Sequence, residues 1–251
     1  MDEEVKNASV DVARDVLIAN IRVSCSTERA EKLMPIVNIM MDSNAPASTR
    51  KSFHGAFDGG LILHTELVLS TMKMAWEGIK GNFITDISGL NVFHPVMDDD
   101  DAAEKAQLAN QVTAEAIVTV ALLHDLDKIH DRFGNAKYVP NVLKSGKASD
   151  SVKYKINEEY NPFRDVRGVS PSLDVILNNV KLQVPSGAVS LGVAEFISPS
   201  INAQLTDHEK QAIVFHAGLY EKGDKTGFMG NEHPLSILIH FADMMASRIG
   251  V

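Results

Sequence analysis

An apolar helix that stops in a histidine–aspartate doublet constrains this chain more than any other feature. Ala102 to Leu126 is strongly helix-forming, and its end reads Ala121-Leu122-Leu123-His124-Asp125-Leu126-Asp127-Lys128. Such a helix is buried, yet it carries an imidazole and a carboxylate to its end. A neutral imidazole nitrogen and a carboxylate oxygen on a rigid element are what a divalent metal wants. Adjacent residues point about 100° apart on a helix, so the pair flanks one ion only near the helix end. Lys128 lies four residues after His124 and three after Asp125. It shares their face if the helix continues one more turn, and a cation there would hold a phosphate oxygen next to the metal. The structural alternative is that the doublet is a chance pair and Lys128 an ordinary surface lysine.

The chain around this segment has 251 residues, enough for one large domain or one domain with an insertion. Hydrophobic residues make up 45% and charged residues 23%, which excludes disorder over the whole length. The net charge of −9 argues against a protein that coats nucleic acid, because that work needs clustered Lys and Arg. It leaves open an enzyme that grips one nucleotide or one strand end. Cys25 is the single cysteine, so neither an intrachain disulfide nor a cysteine zinc cage can form. The acidic start Met1-Asp2-Glu3-Glu4 has no apolar run behind it and is no secretory signal. No stretch reaches about 18 uninterrupted apolar residues. A cytoplasmic protein without a membrane partner is expected.

Helical spacing recurs along the chain. Val10, Val12, Val16, Leu17 and Ile21 form an amphipathic stripe within 10–23. Ser26-Thr27 caps the next helix. Gly59-Gly60 precedes a long helical pattern from Leu61 to Ile79 that Gly81-Asn82 is expected to stop. Asp98 to Asp101 reads as an acidic helix start rather than a cation site. From Phe133 to Ser200 Gly, Pro, Ser and Asn become frequent, with β-prone pieces at 152–156 and 180–184. This reads as a cap or insertion of loops with a hairpin, within a single domain spanning 1–251. Helices return at 206–219, behind the capping box Thr206-Asp207-His208-Glu209, and at 234–249, with Pro234 in the first turn. Met72, Met74, Met244 and Met245 read as core filler.

Further candidates surround the doublet. Ala47-Ser48-Thr49-Arg50 is followed by His54, then by Gly59-Gly60-Leu61-Ile62-Leu63-His64-Thr65. Near the C-terminus His240-Phe241-Ala242-Asp243 sets a carboxylate inside an apolar helix, which is costly unless the group is paired or metal-bound. The order His64, His124-Asp125, Asp243 resembles the HD-domain superfamily of metal-dependent phosphohydrolases. Gly-Gly-Leu-x-x-His-Thr, Ala47-Ser48-Thr49-Arg50 and His233-Pro234-Leu235 are similar to a bacterial and phage subgroup that includes HD-domain 3′-to-5′ exoribonucleases. The resemblance runs from about Pro46 to Ser247.

This resemblance implies an all-α fold whose helical core surrounds a metal site. It maps His64, His124, Asp125 and Asp243 onto the ligands of one divalent ion, whether Mn, Fe, Co, Ni, Zn or Mg. His216 matches a histidine that relatives use for a second metal or for substrate phosphate. Relatives often add a Gly-His motif upstream, where this chain has Pro185-Ser186-Gly187-Ala188; one tightly held ion is therefore expected. Asp127 stands where relatives have a small residue, as an extra base, as an acceptor behind the ligands, or simply as a polar helix end, the last being favoured. His240 either orients Asp243 or is a buried, satisfied histidine. His94, His130 and His208 read as surface or loop residues.

The expected activity is hydrolysis of a nucleotide phosphoester, a nucleoside mono- or triphosphate, by metal-activated water. Lys128, or Arg50 with His54, would supply positive charge to the reacting phosphoryl group. The alternatives are a 3′-to-5′ exonuclease on RNA or DNA ends, which the acidic balance disfavours, and a nucleotide-binding sensor without turnover. A homo-oligomer is compatible with either.

Overall fold

The computed structural model describes residues 3–84, 112–131, 134–160, 186–218 and 232–249. The expectations for His94, Asp98 to Asp101, residues 102–111 and the β-prone piece at 180–184 lie outside them. Helices dominate the described chain: α1 Glu3–Ser24, α2 Thr27–Ser43, α3 Gly60–Ile84, α4 Ala114–Leu123, α5 Ser186–Ile197, α6 Ile201–Gln204, α7 Asp207–Val214 and α8 Pro234–Ile249. The one sheet among the described residues is an antiparallel pair, β1 Tyr138–Pro140 and β2 Tyr154–Ile156, with Val139 opposite Lys155. The fold is all-α with a short β-hairpin.

Local chemistry starts these helices. Ser26 accepts a hydrogen bond from the Arg29 N–H at the head of α2, and Thr113 accepts one from Ala116 at the head of α4. Thr206 and Glu209 close a reciprocal capping box on α7, as the sequence suggests. In α1 the buried stripe is Val10, Ala13, Leu17 and Ile21. Val12 and Val23, off that stripe, are exposed.

Three boundaries differ from the sequence reading. The described helix before the doublet opens at Ala114, behind its Thr113 cap, and not at Ala102. It ends at Leu123, and Leu126–Lys128 forms a tighter 3-10 turn in place of a further α-turn, with the Lys128 N–H donating to the Asp125 carbonyl at 3.0 Å. α3 runs through Gly81-Asn82 to Ile84; one glycine costs a helix interior about 1 kcal/mol, too little to stop 25 residues.

Every residue of α4 from Ala116 to Leu123 is buried, so this helix is the axis of the core. α3 packs on α1, α4 and α8, while α7 packs on α4, α5 and α8. α5 falls inside the 133–200 insertion of the sequence reading, yet Val193 and Ala194 join the same apolar cluster as Leu122, Leu123 and Ile213. Arg29 crosses this core: its guanidinium meets Glu209 at 2.9 Å and the Thr119 hydroxyl at 3.1 Å, tying α2, α7 and α4 together. Of the methionines read as filler, Met72 is fully buried, whereas Met74 and Met244 are exposed. The β1–β2 hairpin rests on the loop between α2 and α3. Lys153 and Tyr154 donate to the Thr49 carbonyl, and the Tyr154 hydroxyl donates to Asp58 at 2.6 Å.

Candidate metal centre

Three helices deliver the four matched residues to one point. His64 lies in the first turns of α3, His124 caps the C-terminus of α4 with Asp125 next to it, and Asp243 sits midway along α8. One nitrogen or oxygen from each of the four lies within 4.8 Å of all the others. His64 Nε2 is 3.3 Å from Asp125 Oδ2 and 3.1 Å from Asp243 Oδ1. His124 Nε2 is 3.3 Å from the same Asp125 oxygen and 3.4 Å from His64 Nε2. Donors bound at about 2.1 Å to one ion stand roughly 3.0–3.4 Å apart, from octahedral to tetrahedral geometry. The four distances around His64 Nε2 and Asp125 Oδ2 fall in that range, and all the donor pairs stay within 4.8 Å.

The tautomer of His124 is fixed. Its Nδ1–H donates to the Ala121 carbonyl at 2.8 Å, which leaves the Nε2 lone pair facing the cluster. Two imidazole nitrogens and two carboxylates converging in a buried space need positive charge between them, either protons or a metal ion. Burial pushes the Asp125 carboxyl up, but Lys128 and His124 outweigh it and hold it well below the usual carboxylate range. Asp243 is held low in the same way, burial being overridden by His64. Burial opposes a charge on His64, and hydrogen bonds to Asp125 and Asp243 raise its pKa regardless. The group could hold a metal ion. Its donor set, two imidazoles and two carboxylates, suits a divalent ion of intermediate hardness.

His216 stands two residues beyond α7 and reaches the other side of Asp125. Its Nδ1–H donates to the Ile213 carbonyl at 2.9 Å, and its Nε2 lies 3.5 Å from Asp125 Oδ1. Burial disfavours its charge, but Asp125 pushes its pKa up to about 9. Ser186-Gly187, where the resemblance led to an expected histidine, opens α5. A Cβ on Gly187 would lie 1.8 Å from the Ile213 carbonyl, so this position serves the crossing of α5 over α7.

The other candidates divide. Lys128 turns onto the face of Asp125, its Nζ 2.5 Å from Oδ2. The His54 ring packs tilted against His64, with centroids 4.7 Å apart, but burial and the neighbouring His64 lower its pKa to about 4. It is a neutral imidazole at pH 7 and brings hydrogen bonding in place of charge; its Nε2 is buried without a hydrogen-bond partner among the described residues. Arg50 is exposed and lies over the Phe53 ring, 5.9 Å from its centroid. Asp127 corrects the favoured reading as a polar helix end: it is 3% exposed and ion-paired to Lys137. His240 is half-buried, and its Nδ1–H donates to the His216 carbonyl at 3.0 Å. Around Asp243 the helix is less apolar than expected, with Phe241 and Met244 pointing to solvent. His208, read as a surface residue, stacks on the buried His233 with ring centroids 4.0 Å apart.

Three residues behind the site, Ser190, Lys137 and Tyr160, were not legible in the sequence. The Ser190 hydroxyl, on α5, donates to the His124 carbonyl at 2.8 Å and accepts from the Asp127 N–H at 3.1 Å. Lys137, ahead of β1, neutralises Asp127, and the Tyr160 hydroxyl donates to the Asp127 carbonyl at 3.1 Å. None of the three stands in a motif; the fold alone brings them to the doublet.

No family model, no curated protein and no solved structure matches this chain. What stands is a helical protein with a histidine–aspartate group able to hold a metal ion. No helix among the described residues is long and apolar enough to cross a membrane.

Proposed function

We propose that this protein is a divalent-metal-dependent phosphohydrolase of the HD-domain type that cleaves a phosphoester of a nucleotide. The observation that carries this reading is the convergence of His64, His124, Asp125 and Asp243, distant in sequence and in the family's order, with donor atoms within 4.8 Å. These four residues would hold the ion. When bound, the ion supplies Lewis acidity, drawing charge from a phosphoryl oxygen and acidifying water near neutral pH.

The chain's own groups provide the rest. The backbone carbonyl of Ala121 keeps the His124 ring oriented, and Ser190 holds the carbonyl of His124 itself. Lys128, anchored on Asp125, keeps an ammonium beside the cluster, where negative charge develops on the phosphoryl oxygens. His54, neutral and packed on His64, offers a hydrogen bond beside the same cluster.

The test is a screen of nucleoside mono-, di- and triphosphates against Mg, Mn, Fe, Co, Ni and Zn with the purified full chain. Release of phosphate or nucleoside with at least one ion, abolished by a chelator and by Asp243→Asn, is the expected result. Nucleotide that binds and stays intact with every ion would identify a sensor instead. Stepwise shortening of RNA or DNA from the 3′ end, with free nucleotides untouched, would identify an exonuclease.

A further inference from the structure

Asp243 faces two ways. One side is the cluster, through Oδ1 and His64. On the other side Asp243 forms part of the wall of a cavity of about 170 Å³, bounded by Ala217, His240, Asp243, Met244, Ser247 and Arg248. Five of these six come from α8 at helical spacing, so one face of one helix leads from the metal ligand to the cavity mouth. The Ser247 hydroxyl touches Asp243 Oδ1 at 3.3 Å and marks the passage between them.

The walls are kept in place by the neighbouring turn. The His240 ring lies directly over Gly218, which has φ +55°, and a Cβ there would come within 2.6 Å of the ring. The His216 carbonyl accepts the Nδ1–H of His240, so the ring cannot swing out without losing that bond. Ala217 and Met244 supply apolar surface, and Arg248 supplies the cation. The Arg248 side chain is exposed and lines the cavity beside Ser247 and Asp243. In a chain of net charge −9, an exposed guanidinium on the wall of a cavity that reaches a metal-binding cluster is a place for an anion.

Resting on the proposed hydrolase reading, we propose that this cavity is a second phosphate subsite: Arg248 and Ser247 bind a phosphate group next to the one presented to the cluster. The substrate class is then a nucleotide carrying adjoining phosphates, a nucleoside di- or triphosphate, in preference to a monophosphate. The planar guanidinium gives two parallel N–H donors to a phosphate, which a lysine cannot match. The volume suits a phosphate with part of a sugar and leaves the base outside.

The experiment is calorimetric titration of the full chain with inorganic pyrophosphate and, separately, inorganic phosphate, with Mn present and in chelator. Wild type should bind pyrophosphate more tightly than phosphate. Arg248→Ala should weaken pyrophosphate binding about 10–100-fold while phosphate affinity and metal content stay at wild-type values, and Arg248→Lys should recover part of the loss. Equal pyrophosphate affinity in wild type and Arg248→Ala would overturn the subsite. So would an equal loss for both anions. An arginine that merely balances the end of α8 would lower the melting temperature and leave pyrophosphate affinity alone, which also overturns it. Because binding is read without turnover, a protein that hydrolyses nothing can still pass this test. Conversely, hydrolysis of triphosphates with unchanged KM in Arg248→Ala sinks the subsite and leaves the hydrolase standing.

Discussion

The ammonium of Lys128 stands 2.5 Å from Oδ2 of Asp125, the oxygen that also faces Nε2 of both His64 and His124. A monovalent cation on the chain and a divalent ion would thus share one carboxylate oxygen. Lys128→Ala removes the first and leaves Asp125 buried without its nearest counter-charge. The metal-free variant should be less stable by about 3–5 kcal/mol, the usual cost of breaking a buried pair. Added metal should then raise its melting temperature more than that of wild type, since the ion replaces the missing charge. Turnover should fall on the order of 10²–10³-fold if the ammonium meets the phosphoryl oxygens in the transition state. Differential scanning fluorimetry with and without Mn, followed by steady-state kinetics, separates these effects. Wild-type kcat and KM would leave Lys128 as a structural partner of Asp125 and nothing more.

Removing a donor should remove the ion. His124→Ala, Asp125→Ala and Asp243→Asn each delete or weaken one of four converging groups. Loss of an outer hydrogen-bond partner alone costs metal affinity about 10–100-fold, so loss of a ligand should exceed about 100-fold. Elemental analysis after dialysis is the measurement, with circular dichroism to confirm folding. Unaltered metal content in a folded Asp243→Asn variant would show that the cluster is not the binding site. One tightly held ion per wild-type chain is expected. Two that resist dialysis would place His216 and Oδ1 of Asp125 in a second site.

The ion pair of Asp127 and Lys137 fastens the segment before β1 to the 3-10 turn that follows the doublet. Lys137 gains proton affinity there; burial opposes its charge, and Asp127 overrides it. Asp127→Asn and Lys137→Met should each destabilise the protein by about 3–5 kcal/mol, by leaving a buried charge unpaired. The double variant should recover most of that loss, because both charges are then gone. Urea denaturation of the four proteins gives the coupling. Additive losses would mean that solvent screens the pair.

His233 makes the start of α8 acid-sensitive. Its Nδ1 accepts the Leu235 N–H at 3.1 Å, and its ring stacks on His208. Burial first, and His208 second, lower its pKa to about 4. The unfolded chain binds a proton near pH 6.5 and the folded chain does not until about pH 4. Stability from this group is therefore complete above about pH 6.5 and is lost as pH falls toward 4. His233→Asn keeps an acceptor for the Leu235 N–H and removes the titration. Its melting temperature, measured from pH 7.5 down to 4.5, should fall less than that of wild type. Parallel curves for the two proteins would show that His233 titrates normally.

Legible in the sequence were the helical class, the hairpin piece at 152–156, the caps at Ser26 and Thr206 and, through the resemblance, the four residues of the cluster. Each of these signals is short-range. A cap needs one hydroxyl at the head of an apolar repeat, and the doublet needs a buried helix that ends in polar residues. The matched order of His64, His124-Asp125 and Asp243 added the long-range information that spacing could not carry. Tertiary structure decided what those residues meet. The charge state of His54 follows first from its burial and then from its contact with His64, 10 residues away in the chain but on a different element. Asp127 became a buried partner because Lys137 and Ser190 arrive from the hairpin side and from α5. Helix ends were misplaced for a related reason. At Gly81-Asn82 a local cost of about 1 kcal/mol was outweighed along a long helix. After Leu123 the chain tightened into a 3-10 turn that brings Lys128 back onto Asp125. A buried ionisable group takes its energy from whatever stands within a few ångströms, and those neighbours come from helices that only the packed core brings together.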